Sequence, residues 1–296
     1  MKENAGKFSV IFDKEKGYFH LSPLPSCETL KAYYEEQFYG GNYREGQIQD
    51  SAPEIQNQKE EKDFLGIQYA DIIEIVNSKA PGNRIIDIGC GFGSFLHYCQ
   101  EKGYDAFGLD PSFQAIKNAR ESGLNVVRSH IEELNSVVQE KFHTAVLLGV
   151  LEHLLEPNVI LQNINNILVD NGLLIVRVPN EFNVLQTIAN QEYHLDEWWV
   201  TAPVHINYFT VSTLVKLIES VGFKVILKES TFPLEMFILF GDQYVGCPEI
   251  GKMIHKKRVL FEQTLAKHDN PFKRKLFRNF AELGIGREIT IYARKE

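Results

Sequence analysis

Apolar residues recur along this chain in two rhythms that trade places. Short runs such as "RIIDIG", "DAFGLD", "NVVRS", "FHTAVLLG" and "LLIVRVP" read as buried strands. Between them, "SFLHYCQEKG", "SFQAIKNARESG" and "EPNVILQNINNILVDNG" space apolar residues three and four apart and end on glycine, as helices do. "IEELNSVV" predicts a weaker helix in the same series. Further on, "TVSTLVKLIESVG" reads as a helix with a Thr/Ser start, "FKVILKES" as a strand, and "REITIYARK" alternates like a final strand. Upstream, "FSVIFDKEKGYFHLS" predicts a hairpin around a charged turn, and "CETLKAYYEEQFY" a short amphipathic helix. Residues 40–62 are polar with Gly and Pro and read as a loop or lid. "FLGIQYADIIEIVNSKAPG" predicts a helix stopped by Pro-Gly.

Strands alternating with helices imply an α/β fold: a doubly wound, mostly parallel sheet with helices on both faces. Ligands on such sheets bind beyond the carboxyl ends of the strands, at the switch point. Two segments break the alternation. Residues 180–209 read as a long loop rich in Trp, Tyr and His, and residues 230–286 as a helical insertion before the last strand. The chain therefore divides into an N-terminal hairpin, helix and lid (1–62), a core (63–229), the insertion (230–286) and a last core strand (287–296).

Composition narrows the classes. Of 296 residues, 44% are hydrophobic and 24% charged, an ordinary globular mixture, and the net charge of −8 argues against a nucleic-acid partner. No run approaches the roughly 20 apolar residues of a membrane helix, and the N-terminal apolar run is too short for a signal peptide. Four scattered cysteines without a CxxC pair read as reduced thiols in a cytoplasmic protein. Against the acidic whole, residues 247–287 are basic, with Arg258, Lys273, Arg274 and Arg287 among their cations. Two readings stand: a solvated helical face, or a surface that attracts an anionic, phosphorylated partner.

The chemistry concentrates after the first core strand. The order is Asp87-x-Gly89-x-Gly91-x-Gly93, and a dinucleotide fingerprint would want its third glycine where Ser94 stands. An acid just before the glycines would repel a diphosphate and suits a cationic group. Downstream, Asp110 in "GLDPS" can accept the hydroxyls of a ribose, each bond to a charged group contributing about 1.5–3 kcal/mol. Together these point to an adenosine-like ligand with a cationic end.

The set "IIDIGCGFGSF", "GLDPS", "AVLLGVLEHL", "GLLIVRVPN" and "HINYFTVSTLVKLIESVGF" resembles the class I S-adenosylmethionine-dependent methyltransferases over residues 64–229 plus the final strand. The resemblance implies a seven-stranded, Rossmann-like sheet whose last strand inserts antiparallel, and S-adenosylmethionine as cofactor. It implies that Asp87, Gly89, Gly91 and Gly93 hold the methionine part, that Asp110 and Pro111 hold the ribose, that Ser129, His130 and Ile131 flank the adenine, and that Gly149 and Val150 line the methyl.

The acceptor is expected to be a small molecule. The favoured reaction is methylation of a hydroxyl on a sugar, nucleotide-sugar or phosphorylated metabolite, because the tail from "TFPLEMFILF" onward resembles methyltransferases of bacterial glycan or natural-product assembly. C- or N-methylation of a sugar or ring is the alternative. A nicotinamide-dependent oxidoreductase and a non-catalytic cofactor-binding protein are the readings from other classes. His205 is the first candidate base and His153 the second. Asn180, Tyr193, His194, Trp199 and Tyr208 are candidate substrate contacts, or a satellite core beneath a long loop. Some quinone- and RNA-modifying relatives bind a divalent ion through Glu-x-x-Glu-His. Here the first Glu position is Gly149, so no catalytic metal is expected. Tyr39, Tyr43 and Arg44 are candidates to close a lid, and the N-terminal hairpin and helix for a homodimer contact.

Overall fold

The computed structural model describes residues 8–26, 30 and 55–296. The N-terminal hairpin pairs β1 (Ser9–Asp13) with β2 (Tyr18–Ser22). Its turn is fixed by Asp13, whose Oδ1 accepts the backbone N–H groups of Glu15 and Lys16 at 2.8 and 3.0 Å. Helix α1 (Ile55–Lys79) ends just before Ala80-Pro81-Gly82, where proline cannot continue the ladder.

The alternating stretch then folds as β3 (Arg84–Ile88), α2 (Ser94–Glu101), β4 (Asp105–Asp110), α3 (Phe113–Glu121), β5 (Val126–Arg128), the short α4 (Leu134–Val137), β6 (Phe142–Leu148), α5 (Pro157–Ile167) and β7 (Leu168–Pro179). After it come α6 (Val184–Tyr193), β8 (Asn207–Tyr208), α7 (Val211–Ser220), β9 (Phe223–Ser230), α8 (Glu235–Leu239), α9 (Pro248–Glu282) and β10 (Glu288–Lys295). The main sheet has seven strands in the order β5-β4-β3-β6-β7-β10-β9. β3 pairs parallel with both β4 and β6, so the chain switches direction across the sheet there. β10 lies antiparallel between β7 and β9, as the resemblance implied. Apolar layers cover both faces. One is built around Ile86, Ile88, Leu147 and Val176, the other around Ile85, Leu96, Val146 and Ile175. Neighbouring strand residues thus alternate faces, the mark of strands buried on both sides.

Three expectations need correction. The helix predicted through "ILVDNG" stops at Ile167, and Leu168–Asn171 already belong to β7, with Leu168 paired to Phe142 and the register shifting before Thr144–Leu173. The apolar spacing runs on past the helix, but Leu168 is claimed by the sheet. Residues 180–209 are not simply a loop. Asn183 and Gln186 form a capping box that starts α6, and β8 pairs with β2, tying the N-terminal hairpin to the core.

The basic insertion is the third. Its charges divide: Lys252, Lys256, Lys257, Lys267 and Lys275 are exposed, while Arg258, Lys273 and Arg274 are buried against partners. Arg274 grips both carboxylate oxygens of Glu229 at 2.8 Å, and Arg278 adds a bond to the same carboxylate at 3.0 Å. Lys273 donates to Asp71 of α1 at 2.6 Å. Arg258 and Glu262 are buried together, with the guanidinium over the Phe64 ring. The helix breaks at Asp269 (φ −156°, ψ 79°), whose Oδ1 accepts the Phe272 N–H at 2.9 Å and caps a second segment with Pro271 in its first turn. That break turns Lys273 and Arg274 toward α1 and β9. A buried cation needs such partners, because desolvating a lone one costs several kcal/mol.

Candidate functional site

β3 ends at the switch point, and the turn after it carries the glycines. Asp87, 3% exposed, lies on the strand's last turn of register, on the same face as Ile85 and toward α2. Its charge is felt by the buried Cys99 thiol, whose pKa is pushed up, by burial first and Asp87 second. Gly89 and Gly93 are demanded by close packing: a Cβ on either would collide with Val150 or Leu124. Gly91 differs. Its φ is +52°, and nothing lies within 4 Å of where its Cβ would be. That is an open cradle bounded by backbone.

Asp110, 2% exposed at the end of β4, closes the turn. One carboxylate oxygen accepts the Gly91 N–H at 3.0 Å and the other the Ser112 N–H at 2.8 Å. Beside it, a cleft of about 220 Å³ is lined by Pro111, Arg128, Ser129, His130 and Glu133. Ser129 Oγ donates to Glu133 at 2.8 Å, while Ile131 is buried beneath. An open glycine, two buried carboxylates at neighbouring strand ends and a cleft at the third suit a ligand with an ammonium, a ribose and a flat ring. The donor set fits S-adenosylmethionine.

Across the switch point, Gly149 (φ +70°) follows β6, and Val150 packs over Gly89. The turn Leu151–His153 then brings Glu152 and His153 against His205. The two imidazoles meet edge to face at 5.0 Å. The Val204 carbonyl accepts from His153 Nδ1 at 2.9 Å, which places the proton on that nitrogen and fixes the ring. His205 Nδ1 is buried with no hydrogen-bond partner. Burial, His153 and Arg287 hold the His205 pKa well below its ordinary value, so its ring is neutral. Glu152 is pushed up to about 8 by burial. Ligand atoms of Glu152, His153 and His205 lie within 4.8 Å of one another, the one such trio among the described residues; Gly149 still supplies no fourth.

The other predicted contacts are divided. Asn180 is wholly buried and clamps the chain end of β7, its Nδ2 donating to the Gly284 and Gly286 carbonyls at 3.1 and 3.0 Å. Trp199 and Tyr208 are buried around Phe182, a satellite core beneath the segment. Tyr193 and His194 end α6, where His194 is exposed and adopts φ +51° as the helix cap. Tyr39, Tyr43 and Arg44 lie outside the described residues.

Sequence reasoning missed three charged residues: Glu181, Glu235 and Arg287. Glu181 (1% exposed) follows β7, Glu235 (0%) opens α8, and Arg287 precedes β10. Arg287 reaches Glu181 at 3.6 Å, too long for a good hydrogen bond. Burial therefore outweighs the guanidinium, and the Glu181 pKa is pushed up to about 8. Glu235 within the apolar "TFPLEMFILF" was the available signal, because an acid there must be buried or break the run.

These raised carboxyl pKa values set a pH dependence. A group that binds its proton more tightly when folded stabilises the fold most below its ordinary value of 4.5, and the contribution fades as pH climbs to about 8. The ligand-free protein should lose thermal stability across that window, and Glu181→Gln, which cannot ionise, should flatten the curve. Parallel melting curves from pH 5 to 8 would contradict this assignment.

Comparison with known proteins agrees with this architecture. Ubiquinone biosynthesis O-methyltransferase from Bradyrhizobium diazoefficiens is 31% identical over 108 residues, covering 33% of this chain and 41% of that protein. The same-named protein of Glaesserella parasuis serovar 5 is 30% identical over 133 residues, covering 40% and 56%. The chain thus spans about half the length of the curated relatives it matches. Among solved structures, a SAM-dependent methyltransferase from Archaeoglobus fulgidus shares the fold with a TM-score of 0.52 and 21% identity, over 82% of this chain and 100% of that one. The [4+2]-cyclase SpnF shares it with a TM-score of 0.51 and 16% identity, over 92% and 98%. The fold alone therefore does not set the reaction. No helix among the described residues is long and apolar enough to cross a membrane. Residues 62–228 match the family model described as a methyltransferase domain, more than half of the chain, and the protein belongs to that family, among the class I S-adenosylmethionine-dependent methyltransferases.

Proposed function

We propose that this protein transfers a methyl group from S-adenosylmethionine to a hydroxyl oxygen of a small molecule, with His205 as the base. The observation that carries the reading is the half-buried, neutral His205, set against His153 and Glu152 with its Nδ1 lacking a hydrogen-bond partner. The names of the curated relatives, ubiquinone biosynthesis O-methyltransferases, support an oxygen acceptor.

When bound, the cofactor supplies a methyl carbon activated by its sulfonium charge. The chain's part is orientation and proton transfer. Asp87 would face the ammonium, Asp110, which accepts the Gly91 N–H, would hold the ribose hydroxyls, and the cleft at Pro111, Ser129 and His130 would take the adenine. Gly149 and Val150 line the methyl. Holding nucleophile and carbon in line supplies as much as about 7–11 kcal/mol in favourable systems. His205, half-buried with a neutral ring, would take the proton of the acceptor hydroxyl. His153, its own proton tied to Val204, orients His205 rather than reacting.

Asn180, Trp199 and Tyr208 support the acceptor side from behind, Asn180 by clamping the end of β7 and the two rings by packing around Phe182. Tyr193 and His194 keep a role only at its outer rim. A sugar or nucleotide-sugar acceptor stays part of this reading. The buried cations of α9 are spent on Glu229, Asp71 and Glu262, so an anionic, phosphorylated acceptor would have to draw on the exposed lysines of that helix, Lys256, Lys267 and Lys275. The reading uses no metal, so EDTA should leave the rate unchanged. It is tested by thermal shift with S-adenosylhomocysteine and with NADH. Stabilisation by the first alone supports it; stabilisation by NADH alone would favour an oxidoreductase.

A further inference from the structure

Glu152, Glu181 and Glu235 are brought together from three distant parts of the chain at the carboxyl edge of the sheet. Each is felt electrostatically by the next, and Arg287 lies beside the latter two. Helix α6 packs on α8 to roof them. All three carboxyls are at least nine-tenths buried, and Glu152 Oε2, Glu181 Oε1 and both Glu235 oxygens have no hydrogen-bond partner. Around them Trp199 Nε1 is buried without one, Gln186 Nε2 and Tyr208 Oη lack a well-formed one beside Glu235 and Thr201, and Arg287 Nη1 reaches only Glu181 Oε1, at 3.6 Å. Native interiors leave few buried polar groups unpaired, and each costs about 1–3 kcal/mol. So many at one place, with Glu152 beside Gly149, call for partners from outside the chain.

The backbone shows the same. Phe182, between Glu181 and Asn183, is held at φ +58°, which bulky residues rarely adopt. Such strain persists only when the surroundings enforce it, and it clusters at functional sites. Here it lets Glu181 turn inward while Asn183 caps α6. On the facing side, Gly286 (φ +116°) fits so closely against Ser230 and Thr231 that no Cβ has room, and this contact delivers Arg287 to the cluster.

We propose that Glu181, Glu235 and Arg287, with Glu152 behind them, form the acceptor subsite, and that it takes a small polyol, neutral or carrying an ammonium group, and not an anion. This rests on the methyl-transfer reading above and names its substrate class. Arg287, the one guanidinium there among the described residues, already faces Glu181 and Glu235, which leaves no other cation among them to neutralise a phosphate or carboxylate. The cluster offers both acceptors and donors, Gln186 Nε2 and Arg287 Nη1 among the latter, and vicinal hydroxyls, which donate and accept, can meet both at low desolvation cost. Arg287 donates to a ring or hydroxyl oxygen. A quinol-like ring, with two hydroxyls and an apolar body, would leave most of these groups unpaired.

The test uses the full chain saturated with S-adenosylhomocysteine and saturation-transfer NMR. The probes are glucose, galactose, mannose and glucosamine, with glucose 6-phosphate and catechol as contrasts. We expect a polyol to bind, the glucosamine arm showing whether an ammonium is wanted. Glu235→Gln and Glu181→Gln should each weaken that polyol at least tenfold, with S-adenosylhomocysteine affinity unchanged within twofold. Glu235→Leu should raise the melting temperature of the ligand-free protein, since an unpaired buried carboxyl is removed. Binding of glucose 6-phosphate or catechol above every polyol, no polyol binding at all, unchanged polyol binding in Glu235→Gln, or a lower melting temperature for Glu235→Leu would each overturn the subsite. If the wild-type chain fails to bind S-adenosylhomocysteine before any probe is added, the methyl-transfer reading itself falls, and this proposal with it.

Discussion

Replacing His205 by alanine should lower kcat by about 10²–10⁴, the usual contribution of a positioned general base, while S-adenosylhomocysteine binds as to the wild type. The expectation follows from the geometry. His205 sits at an angle to His153, its Nδ1 buried and unpaired, and its backbone N–H is fixed by the Thr201 carbonyl at 3.1 Å. Its depressed pKa makes it a weak base but keeps it unprotonated throughout the neutral range, so its competence does not depend on pH there. His153→Gln should cost less, because His153 acts through the ring it orients. If His205→Ala turns over within tenfold of wild type, the proton leaves by another route and the base assignment is wrong.

The second large effect concerns the cofactor. Gly91→Ala should weaken S-adenosylhomocysteine at least tenfold, roughly 1.4 kcal/mol. The added methyl meets no protein atom within 4 Å, so any loss beyond strain comes from filling the space kept for the ligand. Strain has its own control. Gly103, at φ +83° after α2 and at the opposite edge of the sheet, also has nothing within 4 Å. Both alanines pay a left-handed penalty of about 1–2 kcal/mol in stability. Only Gly91→Ala should lose the cofactor, as measured by calorimetry. Equal affinities for the two variants would remove the glycine turn from the binding site.

How much of this was legible depends on the range over which each feature is encoded. β3, β4, β6 and β7 announce themselves because both their faces are buried, so a run of four or five apolar residues has one reading. The antiparallel β10 was placed by resemblance, since alternation alone does not choose a neighbour. Helix α6 went unread within the aromatic segment, although Asn183-x-x-Gln186 is a local capping signal. β8 has two residues and no period to detect; it exists because β2 offers an edge.

The site divides along the same line. Asp87, Gly91 and Asp110 are close in sequence and tied to strand ends, so spacing reveals them. Glu181, Glu235 and Arg287 are strangers in sequence, joined only when α8 and the loop before β10 fold over β7. The basic insertion misled for a related reason. Composition counts charges but not partners, and Glu229 and Asp71, which neutralise Arg274 and Lys273, lie outside it.

The most direct test is transfer of a ¹³C-methyl group from labelled S-adenosylmethionine to a panel of polyols, phosphorylated sugars and quinols, with the product read by NMR. The carbon shift of an O-methyl group differs from that of an N- or C-methyl group. The structure predicts an O-methyl signal on a neutral or amino polyol, lost in His205→Ala. A methyl signal on nitrogen or carbon, or none with any acceptor while the cofactor binds tightly, would contradict it.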